Sequence, residues 1–226
     1  MIERLLPAGP HHRVRLRCSD RADGDFHVDL AEAELAARRA TFAPAVWTWL
    51  RQVHGNRVVV VNSPGEGAGT SADAAVTTQL GVTLAVQTAD CVPIVLSAVG
   101  GVAVAHAGWR GVVSGVIPAA VAELRSRTSG DVHAFVGPHI RAPHYEFGAD
   151  ELAEVAAVSG EGVRGRTLDH RPALDMTAAV GAALADAGVS AIDLSDDDTA
   201  ASGWFSHRVR GDKQRQVTAA WLEPLP

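Results

Sequence analysis

What this 226-residue chain lacks narrows its function first. It holds two cysteines, Cys18 and Cys91, in unlike settings, so no disulfide framework organises it. No charged-then-apolar leader opens it and no long uncharged apolar run interrupts it. Neither export nor membrane insertion is indicated, and the cytoplasm is the expected location. Basic residues are not in excess: 26 acidic against 20 basic residues give a net charge of -6, the wrong sign for general attraction to nucleic acid or anionic membrane. There is neither an internal repeat nor a linker long enough to separate domains. The signature of the zinc nucleobase deaminases is missing, and the ten histidines include no His-x-His pair, which argues against multinuclear copper. Small molecules are the remaining partners, and a monomer is the expected state.

What is present fits one mixed α/β domain over residues 1–226, with 47% hydrophobic residues to fill its core. In HRVRLRCSD, Val14, Leu16 and Cys18 alternate with arginines, as in a half-buried strand. DLAEAELAARRA reads as a helix capped by Asp29, with Glu32 reaching back. WTWLRQVHGNRVVVV sets a polar corner, His54 to Arg57, before a β-branched strand, and Ser63 to Ala74 reads as a mobile Gly- and Ser-rich surface loop. GVTLAVQTADCVPIVLSAVGGVAVAHAGWRG reads as three strands separated at Thr88-Ala89-Asp90 and Gly100-Gly101. Their nearly continuous apolar character predicts burial on both faces. A helix follows Gly111, kinked by Pro118 or starting near Ser114. HAFVGPHI is another strand, ADELAEVAAV and DMTAAVGAALADAG are helices with Gly188 stopping the second, and GWFSHRV and QVTAAWL close the chain as strand-like segments.

Three metal-competent side chains share one setting, the edge of an apolar strand: His54 in QVHG, Cys91 in TADC and His106 in HAGWRG. Two imidazoles and a thiolate, with a fourth position left open, make a catalytic zinc set. Each residue also has a packing reading: Cys91 as a small core residue, His106 as a satisfied core histidine, His54 as the tip of a tight turn. The other histidines, among them His11, His12, His27, His133 and His170, are expected at the surface. Arg51 and Arg110 flank the candidate site with donors that fit an anion or a neighbouring carboxylate. The loop from Ser63 to Ala74 is expected to help cover a bound ligand.

QVHG, SADA followed by TADCVPI, HAGWRG and VGPHI, in this order from about Arg51 to Gly148, resemble the YfiH family. It is also called the laccase-domain or polyphenol oxidase family, and in bacteria it is linked to peptidoglycan editing. The resemblance implies a four-layered α/β/β/α sandwich with mixed sheets and a zinc on His54, Cys91 and His106. It also implies purine nucleoside phosphorolysis on adenosine, inosine, guanosine and methylthioadenosine, with adenosine deamination alongside. Arg21, Arg51, Gly108, Arg110 and His139 are the implied contacts for substrate or phosphate. The chain departs from the family pattern at four places. RADGDF replaces a Gly-Gly-Val-Ser turn after Arg21, His139 stands for a cysteine, His207 for a tyrosine, and Gln214-Arg215 for a Gly-Arg.

Three rivals stay open. Cys91 could be a nucleophile with His106 or His54 as base, removing a wrong amino acid from a cell-wall precursor. Copper could replace zinc in a polyphenol oxidase, although only Met1 and Met176 are available as axial ligands. A structural zinc in a binding protein would need a fourth ligand, for which His139 is the candidate.

Overall fold

The computed structural model describes residues 1–44 and 46–226. In chain order its elements are β1 (Ile2–Pro7), β2 (His12–Cys18), α1 (Glu32–Phe42), β3 (Trp47–Arg51), β4 (Val58–Val60), β5 (Thr70–Ser71), β6 (Ala74–Thr77), β7 (Thr83–Thr88), β8 (Val92–Val99) and β9 (Gly101–Ala107). The second half comprises α2 (Trp109–Val113), α3 (Val116–Arg125), β10 (Ser129–Val136), α4 (Ala149–Ser159), β11 (Arg164–Arg166), β12 (Pro172–Leu174), α5 (Met176–Asp186), β13 (Ala191–Leu194), α6 (His207–Arg210) and β14 (Gln216–Pro224). Two mixed six-stranded sheets carry the fold, in the orders β1-β2-β14-β7-β3-β5 and β13-β10-β8-β9-β6-β4.

The layering follows from side-chain alternation. Along β8 and β9, Ile94, Leu96, Ala103 and Ala105 pack toward α3, α4 and α5, while Val95, Val102 and Val104 meet Leu16, Leu84, Val86 and Leu222 of the first sheet. Successive strand residues point to opposite faces, so a strand covered on both sides must be apolar throughout, as the sequence pattern predicted. The outer face of the first sheet is closed by Phe26 and by Phe42 of α1 against Trp47, Val217, Ala219 and Trp221. The result is the expected four-layered α/β/β/α sandwich. No helix among the described residues is long and apolar enough to cross a membrane.

Local expectations fail where tertiary partners compete. Asp29 does not cap α1: a turn from His27 to Leu30 delays the helix to Glu32, and the Asp29 carboxylate meets Arg51 instead. The stretch after Gly111 divides into α2 and α3 at Gly115, which is left-handed, so Pro118 falls in the first turn of α3, where its missing N–H is not needed. Residues 63–74 are not one loop, because tight turns lead into β5 and then into buried Ala72, Asp73 and Ala74. GWFSHRV is not a strand. Ser206 accepts the Val209 N–H and the Asp90 carboxylate accepts that of Arg208, which turns the chain into α6. Gly188 has φ 70° just past α5, the stop expected of it.

Candidate functional site

Three times the chain leaves the first sheet and enters the second, between β3 and β4, β5 and β6, and β7 and β8. In the first sheet β3 runs parallel to β5 and β7, and in the second β4 runs parallel to β6. All three crossings therefore lie at one end of the sandwich. Strand β9 is antiparallel to β6 and β8 and finishes at that same end, with His106 opposite Pro93. Each crossing delivers one polar residue there: His54, Asp73 and Cys91. His106 shares the face of Val102 and Val104 and so points between the sheets, where it is buried.

The metal-competent atoms of His54, Cys91 and His106 all lie within 4.8 Å of one another. Cys91 Sγ is 3.8 Å from His54 Nε2, and the two imidazole rings meet edge to face at 4.8 Å between centroids. A zinc ion with bonds of about 2.0–2.3 Å sets its ligand atoms roughly 3.5 Å apart. The donor set fits such an ion, and the Cys91–His54 separation of 3.8 Å is close to that spacing. Cys18, by contrast, is buried in the inter-sheet core and is not part of this cluster, with its thiol pushed up to about 12 by burial.

Asp73, a member of the SADA motif to which the sequence pattern assigns no role, holds the cluster together. Its fully buried carboxylate accepts the backbone N–H groups of Val53, His54 and Gly55 at 3.2, 2.9 and 2.8 Å, and His106 Nδ1 at 2.8 Å. His54 has φ 59°, a left-handed conformation that is unfavourable for a residue with a Cβ. The three converging N–H bonds stabilise it. The same carboxylate fixes the His106 tautomer: Nδ1 carries the proton and Nε2 is left as the ligand atom. An acidic residue set among small ones in SADA was the only sequence signal available.

With protein groups alone, Cys91 and His106 form an ion pair. Burial opposes the Cys91 thiolate, but His106 and His54 outweigh it and bring the thiol down to about 6. Burial likewise opposes the His106 imidazolium, and the Cys91 thiolate with Asp73 lifts it to about 9. A lowered thiol pKa means that thiolate predominates above the new value. In chelator-treated protein, alkylation of Cys91 by iodoacetamide is therefore expected to rise through about pH 6 and to level off above it. A midpoint near the ordinary thiol value of about 8.5 would show that the pair does not form.

A cavity of about 470 Å³ opens over the cluster, within the usual range for a small-molecule site. Its walls include Arg51, Gln52, Gln87, His27, His207 and Arg215. The Gln52 side chain bonds both the carbonyl and the N–H of Gln87, at 2.7 and 2.8 Å, and steadies the chain just before His54. His27, expected at the surface, is a wall residue. The Ser63–Ala74 segment is not among the lining residues and does not cover the cavity.

The remaining sequence candidates divide. Arg51 reaches the cavity, 3.2 Å from Asp29. Arg110 is exposed, stacks on Trp109 at 4.2 Å and is not in the lining. Arg21 is engaged by Asp212 and the Trp204 carbonyl and lies over Phe205. His139 is fully buried and is not a fourth ligand. Its Nδ1 donates to the Gly137 carbonyl and its Nε2 accepts from Thr177, so both ring nitrogens are used. Burial, with Arg141 nearby, lowers its pKa to about 4 and keeps it neutral.

Gly108 is held by space. Its φ of -74° suits any residue, but an added Cβ would stand 2.6 Å from His54 Cδ2 and 3.2 Å from Cys91 Sγ. Gly108→Ala is expected to fold normally while zinc affinity, measured by competition with a chromophoric chelator, falls by about 10- to 100-fold, because one ligand must move aside. Unchanged affinity would show that His54 is not held against this glycine.

Comparison with known proteins places the chain in a family and agrees with its fold. The model of a family described as multi-copper polyphenol oxidoreductase laccase matches residues 15–223. A purine nucleoside phosphorylase of Streptomyces coelicolor is 42% identical over 200 residues, covering 85% of this chain and 82% of its own. One of Mycobacterium tuberculosis is 36% identical over 208 residues, covering 87% and 83%. The crystal structure of Bacillus licheniformis YfiH superposes with a TM-score of 0.81 at 21% identity, over 97% of this chain and 99% of that one.

Proposed function

The chain belongs to this laccase-like family, the YfiH family, and on that premise we propose that it is a zinc-dependent purine nucleoside phosphorylase. Adenosine, inosine, guanosine and methylthioadenosine are its proposed substrates, with adenosine deamination as a side reaction. The observation that carries the reading is the His54, Cys91 and His106 cluster at the base of a ligand-sized cavity, in a chain whose relatives are named purine nucleoside phosphorylases.

Phosphorolysis forms a bond from a phosphate oxygen to the anomeric carbon as the glycosidic bond breaks, and the proton of hydrogen phosphate ends on the departing base. Zinc held by the two imidazoles and the thiolate would supply Lewis-acid polarisation of an oxygen ligand in its open position. The protein supplies the mount. Asp73 orients His54 and His106, Gly108 allows their close approach, and Gln52 and Gln87 rigidify the rim. Polar groups fixed before substrate arrives need no reorganisation during reaction.

The donor set argues against the multi-copper chemistry in the family description. Among the described residues this is the one group of three or more metal-competent side chains, and it has two imidazoles. Neither Met1 nor Met176 lines the cavity to serve as an axial ligand. The low Cys91 pKa favours one alternative, a cysteine nucleophile acting on a cell-wall precursor. Zinc and nucleophilic attack compete for the same thiolate. The deciding experiment is elemental analysis of protein purified without added metal, alongside base release from adenosine and inosine with and without phosphate. Near one zinc per chain and strictly phosphate-dependent release are expected. Metal-free protein whose Cys91 is trapped by an electrophilic precursor analogue would overturn the reading.

A further inference from the structure

We infer that Arg215 and His27 form an oxyanion subsite on the cavity wall that takes inorganic phosphate, an assignment that deepens the phosphorylase reading. Arg215 lines the cavity half-buried, yet among the described residues no carboxylate pairs with it. Its Nη1 donates to the carbonyls of Asp212, Lys213 and Gln214. That anchoring fixes the plane of the guanidinium and leaves Nε and Nη2 as a fork without a protein acceptor. Such a fork matches two oxygens of one phosphate. Phosphate also brings the negative charge that complements the guanidinium, which a nucleoside lacks.

His27 is tied to the same place by a shared carboxylate. Asp25 Oδ1 accepts the backbone N–H of His27 at 2.8 Å and that of Arg215 at 2.9 Å, and the Phe26 N–H donates to the Arg215 carbonyl. His27 Nδ1 accepts the Asp29 N–H at 3.2 Å, so in the neutral ring the proton sits on Nε2 as a free donor. The backbones that carry two donor side chains, from segments far apart in sequence, are thus clamped together, and both residues line the cavity that holds the metal-competent cluster. Of the arginines expected from sequence, Arg110 lies on Trp109 outside the cavity and Arg21 is engaged by Asp212, while Arg51 lines the cavity beside the carboxylate of Asp29, which repels an anion there. The one carboxylate in the lining is Asp29. With Arg51 set against Asp29 and Cys91 against His106, Arg215 is the uncompensated charge of the wall, a local positive site within a chain of net charge -6 that attracts anions.

The test uses steady-state kinetics with phosphate and nucleoside varied in turn, and isothermal titration of inorganic phosphate into zinc-loaded protein. Arg215→Gln is expected to raise the KM for phosphate by roughly 10- to 100-fold, the loss of a charge-assisted pair of bonds. The nucleoside KM and zinc content are expected to stay within about threefold, and the calorimetric phosphate signal to disappear. Arg215→Lys, which keeps the charge but not the fork, should fall between, and His27→Gln should raise the phosphate KM several-fold without touching the Arg215 anchor. Normal phosphate KM and binding in Arg215→Gln overturn the subsite, as does a phosphate effect found at Arg110→Gln instead. A parallel rise in both KM values with loss of zinc would mean a structural role and also overturn it. The two readings fail separately. If the wild type binds phosphate through Arg215 but releases no base, phosphorolysis falls and the subsite stands; if base release needs phosphate but not Arg215, the reverse holds.

Discussion

Cys91→Ala is expected to abolish phosphorolysis and stoichiometric zinc together while leaving the metal-free fold nearly unchanged. Removing the thiolate leaves two imidazoles, too few for a tight zinc site that also keeps a position open for chemistry. A Lewis acid lowers a barrier by several kcal/mol, so losing it should cost about 1,000-fold or more in kcat/KM. Stability should separate the two forms. Cys91 sits in a crossing between sheets rather than in a core cluster, so the metal-free variant should keep the fold and melt below metal-free wild type only by the loss of its pairing with His106. Only the wild type should melt higher on adding zinc, because a ligand that binds the folded state alone stabilises it by mass action. Phosphorolysis that survives in Cys91→Ala would remove the metal from the mechanism.

Asp73→Asn should produce the largest loss of stability at this site. The carboxylate is fully buried and serves four donors. Asparagine offers one acceptor oxygen and turns an amide NH₂ toward groups that themselves donate. Leaving buried donors unpaired around a former charge costs about 3 kcal/mol or more, a drop in melting temperature of roughly 6–12 °C for a chain of this size. Zinc affinity should fall by about 10- to 100-fold, since His106 loses its tautomer and His54 its backbone anchor.

The pH dependence has a fixed sign. Burial pushes the Asp73 carboxyl up, but His106 and the backbone N–H groups of Gly55 and Val53 outweigh it and hold it below its ordinary value. A carboxylate lowered in the folded state stabilises above its unfolded pKa of about 3.9, and that contribution fades as pH falls through the lower folded value. The difference in stability between wild type and Asp73→Asn should therefore be full at neutral pH and shrink below about pH 4. A difference that persists unchanged in acid would mean that Asp73 acts through packing.

Much of the site could be read from strand edges alone. HAGWRG and TADC each end or begin an apolar run, and an imidazole or thiol at such a boundary is held by rigid backbone. Cys91 and His106, and His54 at the corner after β3, were therefore visible as metal-competent candidates. Asp73 was not, because SADA looks like a small-residue loop until Ala72 and Ala74 are seen buried on either side of it. His27 and Arg215 were hidden for another reason. Their common anchor, Asp25, is an ordinary acidic residue in sequence and becomes a clamp only when the C-terminal strand pairs beside β2.

Local pattern was enough to set the strands, since alternation and two-sided apolarity are short-range properties of β8 and β9, and it was enough to identify the metal-competent atoms. Which of those atoms meet depended on the assembled fold. His54 and Cys91 are 37 residues apart and His106 and Asp73 are 33 apart, too far for local spacing to fix a distance. Parallel pairing of β3, β5 and β7 sends every crossing to one end of the sandwich. Long-range register, which no short motif encodes, sets the site.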